Sequence, residues 1–153
     1  MSKFDSGEPT LNRWLIDSAA IADRMGTART FVWVDNTKRV VAFFSLCPHE
    51  IRRETVPANI GRGSPRVIPA ILLARLALDR MLHGQGLGAQ LLVDALRRAV
   101  GAVNAAGGRL IVVDALHERA AKFYSHHGFT ALPTTPLRLV MKSSVAAASL
   151  DLS

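Results

Sequence analysis

Apolar positions recur along this chain with a helical period in some stretches and an alternating or continuous one in others, and the switches mark its elements. After Pro9, the residues Leu11, Trp14, Leu15, Ser18 and Ala22 share one helical face, and only Ser18 interrupts the apolar stripe. Proline suits a first helical turn, so the spacing predicts an amphipathic helix. Thr30 to Val34 is β-branched and aromatic, Asp35-Asn36-Thr37 has turn chemistry, and Arg39 to Leu46 is apolar again. That order predicts a hairpin. Ile68 to Leu78 reads as a third, largely buried strand. A helix from about Gly86 to Val103 follows, with Leu87, Leu91, Leu92, Ala95, Leu96, Ala99 and Val100 on one face. Beyond Gly107-Gly108, Leu110 to Val113 is an uninterrupted apolar strand of the kind covered on both faces. A shorter helix, His117 to His127, stops at Gly128. Phe129 to Leu132 and Leu137 to Met141 read as a closing hairpin, and Ser143 to Ser153 as a loose tail. Strands alternating with helices after a hairpin indicate an α/β fold with a mixed sheet.

The junction between the third strand and the long helix carries the chemistry. Gly84, Gly86 and Gly88 leave backbone N–H groups unshielded directly before a helix. The unpaired N–H groups of a first helical turn and the positive end of the helix dipole add to them, which makes a site for a phosphate or pyrophosphate. Arg75 interrupts the apolar strand just ahead of that turn. A charge there is costly unless it is paired or lines a polar cleft, so it is expected to face an acceptor channel or a phosphate.

A length of 153 residues suits one domain that needs no disulfide or metal. Cys47 is the only cysteine, and the adjacent His126 and His127 point in different directions on a helix, so no metal site is expected. Capping or solvent-facing roles suit His49 and His117, and core positions suit Trp14 and Trp33. No apolar run reaches membrane-spanning length and the start lacks a signal-peptide core, so a cytoplasmic protein is expected. The formal charge of +7 favours anionic partners. Part of it falls in a Gly/Pro-rich stretch from Pro48 to Pro69, where Arg52, Arg53, Arg62 and Arg66 outnumber Glu50 and Glu54. That stretch is expected to be a mobile basic loop next to the proposed site, suited to nucleic acid, a phosphorylated cofactor or an acidic protein partner.

The strand Leu72 to Leu78, the turn His83-Gly84-Gln85-Gly86-Leu87-Gly88, and Phe123-Tyr124 before His127-Gly128-Phe129 stand in one order along nearly the whole chain. That order resembles the GNAT acetyltransferase superfamily, in which His83 occupies a position usually held by Gln or Arg. Phe4-Asp5-Ser6-Gly7-Glu8-Pro9 with Leu11, Trp14 and Leu15 is similar to the signature of its toxin branch, found in type II toxin–antitoxin modules. Ala74-Arg75-Leu76-Ala77-Leu78-Asp79 and Ala120-Ala121-Lys122-Phe123-Tyr124 follow the same branch. Relatives usually place a short strand before the Phe4-Asp5 signature, so either the start has been shortened or one sheet edge is uncovered here.

The resemblance implies a single acetyltransferase domain over residues 1–142, with a mixed, mostly antiparallel sheet flanked by helices on both faces. It implies acetyl-CoA as cosubstrate, held by the amides of His83, Gly84, Gln85, Gly86, Leu87 and Gly88. The pantetheine arm would pair with the strand edge at Leu76, Ala77 and Leu78, where an N–H near Leu78 would stabilise the thioester oxygen. Tyr124, the only tyrosine, would be the general acid toward the leaving thiolate. Packing beside Phe123 and Phe129 is its structural alternative. Arg52, Arg53, Arg66 and Arg75 would meet the acceptor, an aminoacyl-tRNA whose blocked α-amine halts translation. A ribbon-helix-helix antitoxin, DNA contacted only through it, and a homodimer are the implied partners. An acetyltransferase for a small amine or protein N-terminus, and a non-catalytic partner in an antitoxin–DNA complex, stay open.

Overall fold

Ser18 breaks the apolar stripe and the helix together. In the computed structural model, which describes residues 4–150, α1 (Pro9–Asp17) ends at Ser18, whose φ of −127° is not helical, and α2 (Ala19–Met25) restarts beyond it. The chain continues through β1 (Arg29–Val34), β2 (Val40–Arg52), α3 (Ala58–Gly61), β3 (Val67–Leu78) and α4 (Leu87–Ala106). It ends with β4 (Leu110–Asp114), α5 (Glu118–His126), β5 (Thr130–Leu132), β6 (Thr135–Lys142) and α6 (Ser143–Ser149). The strand order is β1-β2-β3-β4-β6-β5, with β1/β2, β4/β6 and β5/β6 antiparallel and β3/β4 parallel. This is the expected mixed sheet.

Two compact units emerge, Met1–Cys47 with Ala74–Ala95, and Pro48–Leu73 with Leu96–Ser153. In the first, adjacent Phe43 and Phe44 point to opposite faces of β2, as strand geometry requires. Phe43 packs with Leu11, Trp14 and Ala77 on the α1 side. Phe44 stacks on Phe31, whose face also carries Trp33, and the Trp33 indole N–H donates to Asp94 of α4 at 2.9 Å. Helices therefore cover both faces, and Trp33 joins a polar bond to its packing.

In the second unit the apolar run Leu110–Val113 is almost fully buried. Its backbone pairs with β3 from Ala70↔Leu110 to Leu73↔Val113 and with β6 from Leu110↔Lys142 to Asp114↔Arg138. Ladders on both sides and side chains on both faces leave no place for a polar residue.

Two segments differ from expectation. The basic stretch is not a mobile loop: β2 runs on to Arg52, a 3₁₀ turn (Arg53–Thr55) and α3 follow, and β3 starts at Val67. Ile51, Val56 and Ile60 lock it into a core with Ile68, Leu110 and Val140. Pro48 concealed the strand. It is tolerated because the β1 ladder ends at Leu46, so its missing N–H falls beyond that pairing. The segment expected to be a loose tail forms α6, with Ala146 buried. Residues 151–153, and any strand preceding Phe4, lie outside the described residues.

Candidate functional site

The turn after β3 needs left-handed backbone at two places. Gly84 has a φ of 81° and Gly86 a φ of 75°, values that a side chain would strain. Gly88 is different, since it already sits in the first turn of α4. The Asp79 N–H donates to the Val41 carbonyl on β2 at 2.8 Å. Strand N–H groups alternate in direction, so those of Leu76 and Leu78 point away from β2. On that side the parallel ladder has already stopped at Leu73, while β3 continues to Leu78. Among the described residues, a stretch of strand edge beyond the parallel ladder thus leads into a turn that ends at a helix N-terminus.

Asp79, which sequence reasoning quoted only as part of a pattern, holds this turn. It is 1% exposed. Its Oδ2 accepts from Arg39 Nη2 at 2.7 Å and from the Asp5 N–H at 3.2 Å, and its Oδ1 accepts from the Met81 N–H at 3.0 Å. The Arg80 N–H in turn donates to the Asp5 carbonyl at 2.8 Å. One carboxylate therefore ties the N-terminal segment and the β1–β2 hairpin to the start of the glycine turn. The signal was present: a carboxylate ends an apolar strand just before the glycines. His83 closes the loop from the other side, with its Nε2 2.8 Å from the Leu78 carbonyl. A carbonyl only accepts, so Nε2 carries the proton.

Arg75 does not project into open solvent. It is half-buried, and its guanidinium carbon lies 4.0 Å from the ring centroid of Trp14. Burial lowers its pKa, but a guanidinium stays charged. Burial pushes the neighbouring Cys47 thiol up, against a smaller opposite pull from Arg75, which keeps it an unreactive thiol.

Tyr124 is 8% exposed on α5, edge-on to Phe123 at 5.4 Å and to Phe129 at 5.7 Å. Among the described residues nothing hydrogen-bonds to its hydroxyl. Burial raises its pKa well above that of a free phenol, so it remains protonated at any physiological pH. His117 caps this helix, its Nδ1 accepting from the Ala120 N–H at 3.1 Å, which is the capping role expected for it.

The structure divides the predicted basic residues. Arg53, Arg62 and Arg66 line one open cavity of about 480 Å³, with Glu54 as its one acidic lining residue. Arg53 is fixed there, since its Nη1 donates to the Ser64 carbonyl at 2.8 Å. Arg52 instead lies 3.9 Å from Glu54 and lines a separate cavity with Arg138 and Asp114. Arg138 grips Asp114 through two bonds of 2.7 Å, and its Nη1 lies 3.2 Å from His49 Nε2. Arginine only donates, so His49 must accept there in its neutral form.

Burial, reinforced by Arg138, lowers the His49 pKa, and burial also lowers that of His127. The unfolded chain then takes up protons first on acidification. The stability these histidines contribute is full above about pH 6.5 and is lost as pH falls through their folded values. The melting midpoint should therefore drop between about pH 7 and about pH 5, and drop less in His49→Gln. Parallel pH profiles for the two proteins would contradict this.

No group of residues suited to a metal ion occurs among the described residues. Residues 26–131 match the family model of the acetyltransferase (GNAT) domain. The chain is 40% identical to a tRNA-acetylating toxin of Mycobacterium tuberculosis over 141 residues, which is 92% of this chain and 84% of that protein. Its structure is similar to that of AtaT complexed with acetyl-methionyl-tRNAfMet, with a TM-score of 0.87 and 30% identity over 95% of this chain and 89% of the other. A tyrosine-to-phenylalanine variant of AtaT, bound to the C-terminus of the antitoxin AtaR and acetyl-CoA, matches with a TM-score of 0.81 and 30% identity. That match covers 95% of this chain and 87% of the other.

Proposed function

The chain belongs to the GNAT acetyltransferase family, and from that premise we propose that it transfers acetyl from acetyl-CoA to the α-amino group of aminoacyl-tRNA and so blocks translation. The observation that carries this reading is the 40% identity to a tRNA-acetylating toxin across 92% of the chain. The matched residues 26–131 enter both compact units, which supports reading residues 1–142 as one catalytic domain. A cognate ribbon-helix-helix antitoxin would neutralise the protein and carry it to DNA. We further propose a homodimer acting in the cytoplasm, where charged tRNA is found. No described helix is long and apolar enough to cross a membrane.

In this reading the amides from His83 to Gly88 hold the coenzyme's pyrophosphate at the α4 N-terminus. The amides of Leu76 and Leu78, with the Ala77 backbone between them, pair with the pantetheine arm as an added strand would. The coenzyme supplies an activated acetyl thioester. The acceptor's neutral α-amine attacks the thioester carbon, the C–N bond forms, and the Leu78 N–H stabilises the oxyanion. As the C–S bond breaks, the Tyr124 phenol donates to the departing thiolate. Its raised pKa makes it a weaker acid than a thiol, whose pKa is about 8.5, so a strong hydrogen bond matters more than early proton transfer. The amine's proton leaves to water.

Incubation with labelled acetyl-CoA and a pool of charged tRNA tests the proposal. The expected product is N-acetylaminoacyl-tRNA, and its absence for every amino acid would reject the reading. Arg53, Arg62 and Arg66 lining one cavity support an RNA contact of three phosphates. A fourfold rise in salt should then weaken tRNA binding on the order of 40-fold. A small-amine acetyltransferase would show almost no salt dependence.

A further inference from the structure

Trp14 and Arg75 make a composite surface with no evident structural need for its charge. Trp14 is held from below by Phe43, with the two rings within 13° of parallel at 6.0 Å. Arg75 lies over the indole at 4.0 Å and forms no ion pair with any described carboxylate. A half-buried arginine is normally paired, because burial removes hydration from the charge. One face of the guanidinium rests on the indole, which leaves its other face and its N–H edge for something else.

Thr10, Arg13, Asp17 and Ser18 complete a cavity of about 220 Å³ around this pair. That is smaller than the roughly 300–1,000 Å³ typical of sites that enclose a whole small molecule, and suits one flat ring. An apolar side chain would cover the guanidinium without satisfying it. A lone carboxylate would use the N–H edge and leave the stacking plane bare. A nucleotide satisfies both, because its base stacks on arginine or aromatic planes and its phosphate accepts from guanidinium N–H groups.

We propose that Trp14 and Arg75 form a stacking platform for an unpaired nucleobase at the 3′ end of the acceptor RNA, with Arg13 and Arg75 donating to the adjacent phosphate. This rests on aminoacyl-tRNA being the acceptor. The platform lies in the first compact unit, and the Arg53, Arg62 and Arg66 cavity in the second. It therefore forms a second RNA-binding element with a different chemistry, one that reads an exposed base.

The test is a cycle between protein and RNA. Affinity is measured for wild type and Arg75→Lys, each against an uncharged tRNA transcript and the same transcript lacking its unpaired 3′ nucleotides. Lysine keeps the charge and loses the plane. Wild type should bind the complete transcript about tenfold more tightly than the shortened one, and Arg75→Lys should bind both equally. Equal loss on both RNAs, or no loss on either, overturns the platform while leaving the acceptor reading intact. Failure of wild type to bind either transcript overturns both. Arg13→Gln, on an exposed helical position, gives a second readout should Arg75→Lys not fold. It should lower the salt slope by about one for the complete transcript only. An unchanged slope counts against the platform.

Discussion

Replacing Tyr124 by phenylalanine is expected to lower acetyl transfer about 100-fold or more, while acetyl-CoA affinity and melting temperature stay close to wild type. The ring's contacts with Phe123 and Phe129 use its edges and faces, and phenylalanine preserves them. Because no described residue bonds to the hydroxyl, its removal strands no partner. Loss of rate without loss of stability separates a chemical role from core packing, since a packing residue would show the reverse. Steady-state rates with charged tRNA, calorimetry with acetyl-CoA and thermal unfolding make the comparison. Unchanged turnover would remove Tyr124 from the mechanism. The pH profile adds a second check: with its pKa raised by burial, the phenol should produce no alkaline fall in rate below the range of a free tyrosine.

Asp79→Ala should be the most damaging single change outside the proposed chemistry. The carboxylate is buried and serves three donors from separate segments, Arg39, the Asp5 N–H and the Met81 N–H. Its removal leaves the partly buried Arg39 guanidinium, already carrying one buried and unpartnered Nε, without its ion-pair partner. Breaking a buried pair in this way costs about 3 kcal/mol, which corresponds to a fall of roughly 10 °C in melting midpoint for a chain of this length. Since Asp79 also holds Met81 at the start of the glycine turn, affinity for acetyl-CoA should weaken together with stability. Asp79→Asn retains the acceptor for Met81 and the side-chain shape, so it should recover part of the coenzyme affinity while still lacking the charge. Denaturant titration and calorimetry on both variants decide the matter. A wild-type melting curve for Asp79→Ala would show that the three bonds carry no net stability.

The two positions differ in how they could be found. Tyr124 stood out as a candidate because it is a lone tyrosine inside a recognisable order of strand, glycine turn and helix. Asp79 showed only as a carboxylate at the end of an apolar strand, because its partners Asp5 and Arg39 lie 74 and 40 positions away in the chain. The basic segment shows the same divide. Its arginines were visible as charge, but Pro48 disguised a strand. Whether Arg52 would stand beside Arg53 depended on how Ile51, Val56 and Ile60 seat that segment in the core.

Local patterning alone accounts for most of the elements, the left-handed glycines before α4, and the apolar strand Leu110–Val113, because each reports a neighbour or a period within its own segment. The pairing of Asp79 with Arg39, the placement of the Arg75 guanidinium over Trp14, and the separation of Arg52 from the Arg53, Arg62 and Arg66 cavity arise only in three dimensions. Each depends on where a distant side chain comes to rest, and a charge finds its partner by spatial proximity whatever the number of residues between them.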